Sequence, residues 1–130
     1  MIVLDTPVWV WWLLDPDRLS RRVLAAIERE VAAGDPARVS ATGVWEVAML
    51  VRRGRLHLAV GLERRLAKAT PEIELVPLTA EIAYAAVTLP GELHEDPADR
   101  VVVATAREPG ATLVTKDARL LDDPHVQSLW

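Results

Sequence analysis

The segment Val101-Val102-Val103-Ala104-Thr105-Ala106 constrains the fold more than any other, because at helical spacing it is apolar on nearly every face. A helix with no side to give to water has to sit inside the domain, with other elements packed around it. It is preceded by Asp96-Pro97-Ala98-Asp99, a strong helix start. Asp96 suits the N-cap, Pro97 suits the first helical position because its missing N–H costs nothing there, and Asp99 falls in the first turn. Capping and attraction to the helix dipole account for Asp96. They account less well for Asp99, whose carboxylate is directed into a crowded, partly desolvated place where a charge needs a partner or a metal.

Around that helix the chain alternates short apolar runs with helical stretches. Strands are predicted at Ile2-Val3-Leu4, at Ala37-Arg38-Val39-Ser40, at Ile73-Glu74-Leu75-Val76 before Pro77, and at Ala111-Thr112-Leu113-Val114-Thr115, with His125-Val126-Gln127 as a short last edge strand. Helices are predicted over 6–14 with Thr6 as cap and Pro7 at the first position, over 20–33 ending at Gly34, and over 42–53 ending at Gly54. Further helical segments are expected at 56–69, at 80–87 capped by Thr79, at 97–106, and in a short turn at 118–121. Right-handed crossovers between such strands give a parallel sheet with helices on both faces. The expected fold is therefore α/β, a three-layer sandwich with four to five parallel strands, formed by residues 1–130 as one domain.

Composition excludes several chemistries. The chain has no cysteine, so disulfides, thiolate zinc sites and cysteine nucleophiles are ruled out, in keeping with a reducing cytoplasm. No run has the length of a membrane span, and Met1-Ile2-Val3-Leu4-Asp5 lacks the basic flank of a signal peptide; a soluble cytoplasmic protein without a membrane partner is expected. The net charge is -4, unevenly spread: residues 1–69 hold 11 Lys and Arg against 8 Asp and Glu, and residues 70–130 hold 4 against 11. A nucleic acid would have to be met by local clusters such as Arg18, Arg21 and Arg22, or Arg52, Arg53, Arg55, Arg64, Arg65 and Lys68. A solvated helix face explains the same clusters.

Asp5 and Asp117 each stand just past the carboxyl end of a predicted strand, the edge at which open parallel sheets bind ligands. Asp117 is also a good cap for the turn at 118–121. In the helix at 42–53, Val44, Val47, Ala48 and Val51 share a face and Glu46 lies about 140° from its centre, an acid in an otherwise apolar helix or a solvent-facing glutamate. Several carboxylates converging on one cleft repel one another unless a cation is present. With no Cys and no usable His pair, oxygen ligation favours a hard ion, Mg²⁺ or Mn²⁺, and such an ion supports in-line attack of water on a phosphodiester. His57 and His125 are isolated. His94 lies beside the acidic loop, where a surface loop residue is the simpler account and a role behind the acids or on substrate the alternative; Thr6 and Thr115 flank the strand ends and could orient metal-bound water or phosphate, with capping or strand pairing the simpler account of both.

With these residues in view, the sequence resembles the PIN-domain ribonucleases, and among them the VapC toxins of bacterial type II toxin–antitoxin pairs. The resemblance runs along nearly the whole chain and rests on Ile2-Val3-Leu4-Asp5-Thr6, Trp11-Trp12-Leu13-Leu14-Asp15-Pro16, Val44-Trp45-Glu46, His94-Glu95-Asp96-Pro97-Ala98-Asp99-Arg100 and Thr115-Lys116-Asp117. It implies an acidic quartet at Asp5, Glu46, Asp99 and Asp117, both catalytic and metal-binding, with Asp96 as an accessory acid. It also implies Mg²⁺- or Mn²⁺-dependent cleavage of RNA, a homodimer, and neutralisation by a cognate antitoxin. The alternative is a PIN-like module that binds RNA or protein without cutting. A phosphorelay receiver would need an acidic pair after the first strand, and a haloacid-dehalogenase-type phosphatase a second Asp where Pro7 stands. Three of the five tryptophans lie in the first helix, and the Trp9, Trp11, Trp12 segment is expected to bury itself against another chain.

Overall fold

The computed structural model describes residues 1–130, apart from the side chain of Glu63. Five short strands, Ile2–Leu4 (β1), Ala37–Ser40 (β2), Ile73–Val76 (β3), Thr112–Val114 (β4) and Ser128–Leu129 (β5), lie in the order β3-β2-β1-β4-β5. Every neighbouring pair is parallel, with Val3 opposite Arg38 on one side and Leu113 on the other. The helices are Thr6–Leu14 (α1), Arg21–Ala32 (α2), Ala41–Arg52 (α3), Leu62–Leu66 (α4), Ala80–Val87 (α5), Pro97–Arg107 (α6) and Ala118–Leu121 (α7). The chain adds β2 and then β3 on one flank of β1, and returns through α5 and α6 to lay β4 on the other flank. Strand order therefore reverses between β1 and β4, where crossovers diverge and leave a crevice at the carboxyl ends. Among the described residues, no helix is long and apolar enough to cross a membrane.

The alternation of β1 sets the layers. Ile2 and Leu4 join a core with Val8, Trp9, Val23, Ile27, Val39 and Val47, while Val3 faces Val102, Val103, Leu113 and Leu120. On its other side α6 meets α5, with Ala104 against Ile82 and Ala86. Sheet on one flank and helix on the other explain why Val102 to Ala106 are all buried, as the apolar sequence of α6 requires. Thr105, the one polar residue in that stretch, donates its hydroxyl to the Val101 carbonyl at 2.7 Å and so is satisfied within the helix.

Several local expectations change. The last strand pairs at Ser128–Leu129, not at 125–127: the Asp123 carboxylate accepts the His125 N–H at 2.8 Å and holds that stretch in a turn. The predicted helix over 56–69 is reduced to Leu62–Leu66, because Gly61 precedes it at φ 80° while Leu56 and Leu58 pack against the core from non-helical backbone. In α3 the buried line is Gly43 and Val47, and Ala48 is exposed. Thr6 does not cap α1; Asp5 does, in extended backbone, and Thr6 is the first helical residue. Trp9 is 0% exposed within its own core, so it cannot be the surface by which a second chain is held.

The difference between the tryptophans is testable. Trp9→Ala empties a fully enclosed site and should cost about 3–5 kcal/mol of stability, while Trp11→Ala, which trims a half-buried ring, should cost clearly less. Urea unfolding followed by circular dichroism gives both values, and equal losses would contradict the assignment of Trp9 to the core.

Candidate functional site

At the reversal point, β1 delivers Asp5 into a position only 7% exposed. Its Oδ1 accepts the Thr6 backbone N–H at 2.9 Å and its Oδ2 accepts the Thr115 hydroxyl at 2.8 Å, so both carboxylate oxygens are held. Thr115, just past β4, also accepts the Asp117 N–H at 3.1 Å, which ties the start of the α7 turn to the same network. On the other side, the Thr6 hydroxyl donates to Glu46 Oε1 at 2.7 Å. Freed from capping, Thr6 thus reaches across to α3. That reach depends on Gly43: a Cβ there would stand 3.0 Å from Thr6 Oγ1 and 3.4 Å from Val39 Cγ1. Glu46, three residues after Gly43, lies on the same flank of α3.

The N-terminus of α6 supplies the fourth acid. Asp96 caps the helix by accepting the Asp99 N–H at 3.1 Å, as its sequence context predicts. Asp99 Oδ2 lies 2.6 Å from His94 Nε2 and 3.7 Å from an Nη of Arg119. Arg119 in turn grips Asp117 with a fork, Nε to Oδ1 at 3.1 Å and Nη2 to Oδ2 at 2.7 Å. The loop carrying His94 is pinned by Arg100, which donates to the carbonyls of Ala86 at 2.8 Å, Leu93 at 2.8 Å and Val87 at 3.1 Å. Glu46, Asp5, Asp117 and Asp99 are therefore linked in one chain of contacts running through Thr6, Thr115 and Arg119. His125 lies apart, against Gly91.

The electrostatics follow from burial and crowding. Burial pushes the Asp5 carboxyl above its ordinary value against the pull of the Thr115 hydroxyl, and the charges of Asp99 and Asp117 push it further. Burial likewise raises Glu46, with added pressure from Asp5, Asp99 and Asp96. Asp117 moves the other way because the Arg119 guanidinium bonds to it. The crevice therefore carries more carboxylate than its own cations balance. Among the described residues, no three Asp, Glu or His side chains stand close enough to form a ready cage for an ion. An all-oxygen donor set with room for water still fits Mg²⁺ or Mn²⁺, which bind through one or two carboxylates and keep several waters.

Sequence reasoning missed Arg119 and Arg100 as parts of this site. Arg119 had a readable signal, since an arginine two residues past a capping Asp can fold back on it; the carbonyl partners of Arg100 lie at the end of α5 and in the loop after it, and had none. Of the simpler accounts of the threonines, strand pairing holds for the Thr115 backbone, whose N–H donates to the Leu129 carbonyl at 3.2 Å, while the hydroxyls of both reach acids, Thr6 donating to Glu46 and Thr115 to Asp5.

Comparison with known proteins gives the family and the fold. A family model for the PIN domain matches residues 2–123. The chain is 38% identical over 124 residues to ribonuclease VapC22 of Mycobacterium tuberculosis, covering 95% of this chain and 92% of that one. Its fold is similar to that in the crystal structure of VapBC2 from Rickettsia felis bound to a promoter DNA fragment, with a TM-score of 0.73 at 17% identity over 99% of this chain and 98% of that one. It is also similar to FitAcB from Neisseria gonorrhoeae, with a TM-score of 0.70 at 21% identity over 100% and 97% of the two chains.

A carboxyl raised on folding stabilises the folded protein while protonated, and that stability is lost as pH rises from the unfolded value through the folded one. Asp5→Asn keeps the partners of Asp5, because the amide can donate to Thr115 where the carboxylate accepts. With divalent ions chelated, the variant should unfold at a higher temperature than the parent at pH 8, and the gap should close toward pH 3. Thermal melts across that range decide it; a variant less stable than the parent at pH 8 would contradict the cost assigned to the buried charge.

Proposed function

This chain belongs to the PIN-domain family and, within it, to the VapC ribonucleases, and from that premise we propose that it is a metal-dependent endoribonuclease that hydrolyses RNA phosphodiester bonds and acts as a growth-inhibiting toxin. The observation that carries this reading is the linked set of Asp5, Glu46, Asp99 and Asp117 at the crevice where strand order reverses. Asp5, Glu46, Asp99 and Asp117 are proposed to hold Mg²⁺ or Mn²⁺, with Asp96 as an accessory acid at the same helix start. When bound, the ion supplies positive charge that stabilises the negative charge developing on a phosphodiester under attack by water.

The chain's own residues do the rest. Thr115 and the Thr6 N–H fix the Asp5 carboxylate in one orientation, so it need not reorganise on binding. Glu46, held by the Thr6 hydroxyl and raised by burial, is suited to take a proton from the attacking water as the bond from phosphorus to the departing sugar oxygen breaks. Arg119 keeps Asp117 ionised. His94, on Asp99, restricts that side chain to one rotamer. Reading the whole molecule as a non-catalytic module draws on one observation, the engagement of Asp99 and Asp117 by His94 and Arg119 in place of a ready cage.

The partner expected for such a toxin is a cognate antitoxin, since solved relatives of this fold are toxin–antitoxin complexes. An apolar groove of about 390 Å³ lined by Trp12, Leu13, Leu14, Leu62 and Leu66 supports a protein seat there. Trp45 and Tyr84, 63% and 73% exposed, support a homodimer that covers them. RNA as substrate and the lack of cysteine are consistent with action in the cytoplasm.

Asp99→Asn should remain folded by circular dichroism and lose Mg²⁺- or Mn²⁺-dependent cleavage of a single-stranded RNA by well over ~100-fold, more than loss of an outer partner costs. Thr115→Val, which only releases Asp5, should fall in the range of about 10–100-fold. Undiminished cleavage by purified Asp99→Asn would overturn the place of Asp99 in the acidic site, and a parent protein that cleaves no RNA with either ion would overturn the nuclease reading in favour of the binding module.

A further inference from the structure

Beside the acids, on the same edge of the sheet, lies a cluster that the chemistry above does not use. Lys116 sits between Thr115 and Asp117, and its Nζ stands 5.9 Å from the ring centre of Trp11 and 5.5 Å from that of Trp130. The Arg18 guanidinium lies 4.3 Å from the centre of the Trp11 ring, and the two indoles meet edge to face at 6.0 Å. Trp11 belongs to the helix that begins at Thr6, and Trp130 follows β5, the neighbour of β4, so both rings approach the carboxyl edge that carries Asp5. The cations are exposed and the rings half-buried.

Two properties bear on what these cations can hold. Among the described residues neither Arg18 nor Lys116 pairs with a carboxylate, unlike Arg38 and Arg119, so their charge is not cancelled. Resting on indole faces also fixes two long side chains that would otherwise lose rotamer freedom on gripping a ligand. Uncancelled, pre-ordered positive charge next to an acidic crevice suits a polyanion that has to be drawn into that crevice against repulsion. Arginine and lysine on aromatic rings are the elements with which proteins hold a single strand, cations on the phosphates and ring faces beside the bases.

We propose that Arg18 and Lys116, seated on Trp11 and Trp130, form a clamp for the backbone phosphates of the RNA strand next to the bond being cut. The proposal rests on the ribonuclease reading and adds to it the residues that position the substrate. They are positioning residues; none reaches the reacting atoms.

The test compares the parent with Arg18→Ala/Lys116→Ala and with the charge-keeping pair Arg18→Lys/Lys116→Arg. Steady-state cleavage of a single-stranded RNA oligonucleotide with Mg²⁺ or Mn²⁺ gives kcat and KM. Binding of the same labelled oligonucleotide across a salt series, in an Asp99→Asn background that does not cut, gives the salt slope. The alanine pair should raise KM about tenfold with little change in kcat, and should flatten the slope of log affinity against log salt by about 1.4, or roughly 0.7 for each phosphate of a single strand that is no longer neutralised. The charge-keeping pair should restore both. An unchanged KM and salt slope would overturn the clamp, and so would equal impairment of both pairs, which would mark a packing role for the cluster. Weaker affinity for a polyglutamate peptide with the oligonucleotide slope intact would overturn it in favour of a protein contact. If the parent cleaves no RNA with either ion, the ribonuclease reading fails by itself, and the oligonucleotide salt slope still decides the clamp.

Discussion

A buried carboxylate organises this molecule. Asp5 is placed at the carboxyl end of the central strand, almost closed off from water, and its charge is tolerable only because one oxygen takes a backbone N–H and the other a threonine hydroxyl from the neighbouring strand's extension. Those two bonds have structural consequences. The first makes Asp5 the cap of α1 and so aims that helix; the second locks the turn after β4 to the end of β1. The tie between the ends of β1 and β4 and the docking of α1 therefore run through a buried acid whose charge costs stability, where a purely structural protein would place an uncharged residue.

How much of this was legible in the chain depended on how local the cause was. The start of α6 could be read because its cap, its proline and its apolar run are contiguous, and the acids after β1 and β4 could be read because each stands within three residues of the end of a short apolar strand. The layered α/β arrangement followed from the alternation of elements. Glu46 was legible as an anomaly but not as a partner of Thr6: the phase of α3 is set by Gly43, whose missing side chain lets α1 approach, and a helical wheel scores a glycine as neutral. Arg100 escaped because its partners are carbonyls at the end of α5 and in the loop that follows, whereas Arg119, two residues past Asp117, carried a local signal that a capping reading of Asp117 passes over. The 56–69 segment has the right periodicity, but Gly61 in left-handed backbone and packing of Leu56 and Leu58 outweighed propensity.

Thr6 shows why sequence context misleads at such a place. A Thr before a Pro is a standard helix start, and a Thr at a strand end commonly pairs or caps. Here the cap is one residue earlier, because an aspartate in extended backbone already serves the first exposed N–H, and the threonine beside it is free to bridge to another acid. Local rules fail where groups are committed to a tertiary network, and such failures concentrate at functional sites. The raised Asp5 and Glu46, both held by threonine hydroxyls, are the energetic side of the same fact.

The distribution of positive charge around the crevice separates three jobs that net charge conceals. Arg100 is spent on carbonyls and holds a loop; Arg119 is spent on Asp117 and holds an acid ionised; Arg18 and Lys116 are spent on neither and sit on aromatic rings at the crevice edge. An overall charge of -4 would argue against a polyanionic substrate if the field acted as a whole. At physiological salt it does not, since screening over about 8 Å leaves each patch to act locally. What a strand of RNA meets first is then the pair of uncancelled cations, and the acids come within reach only once that strand is held beside them.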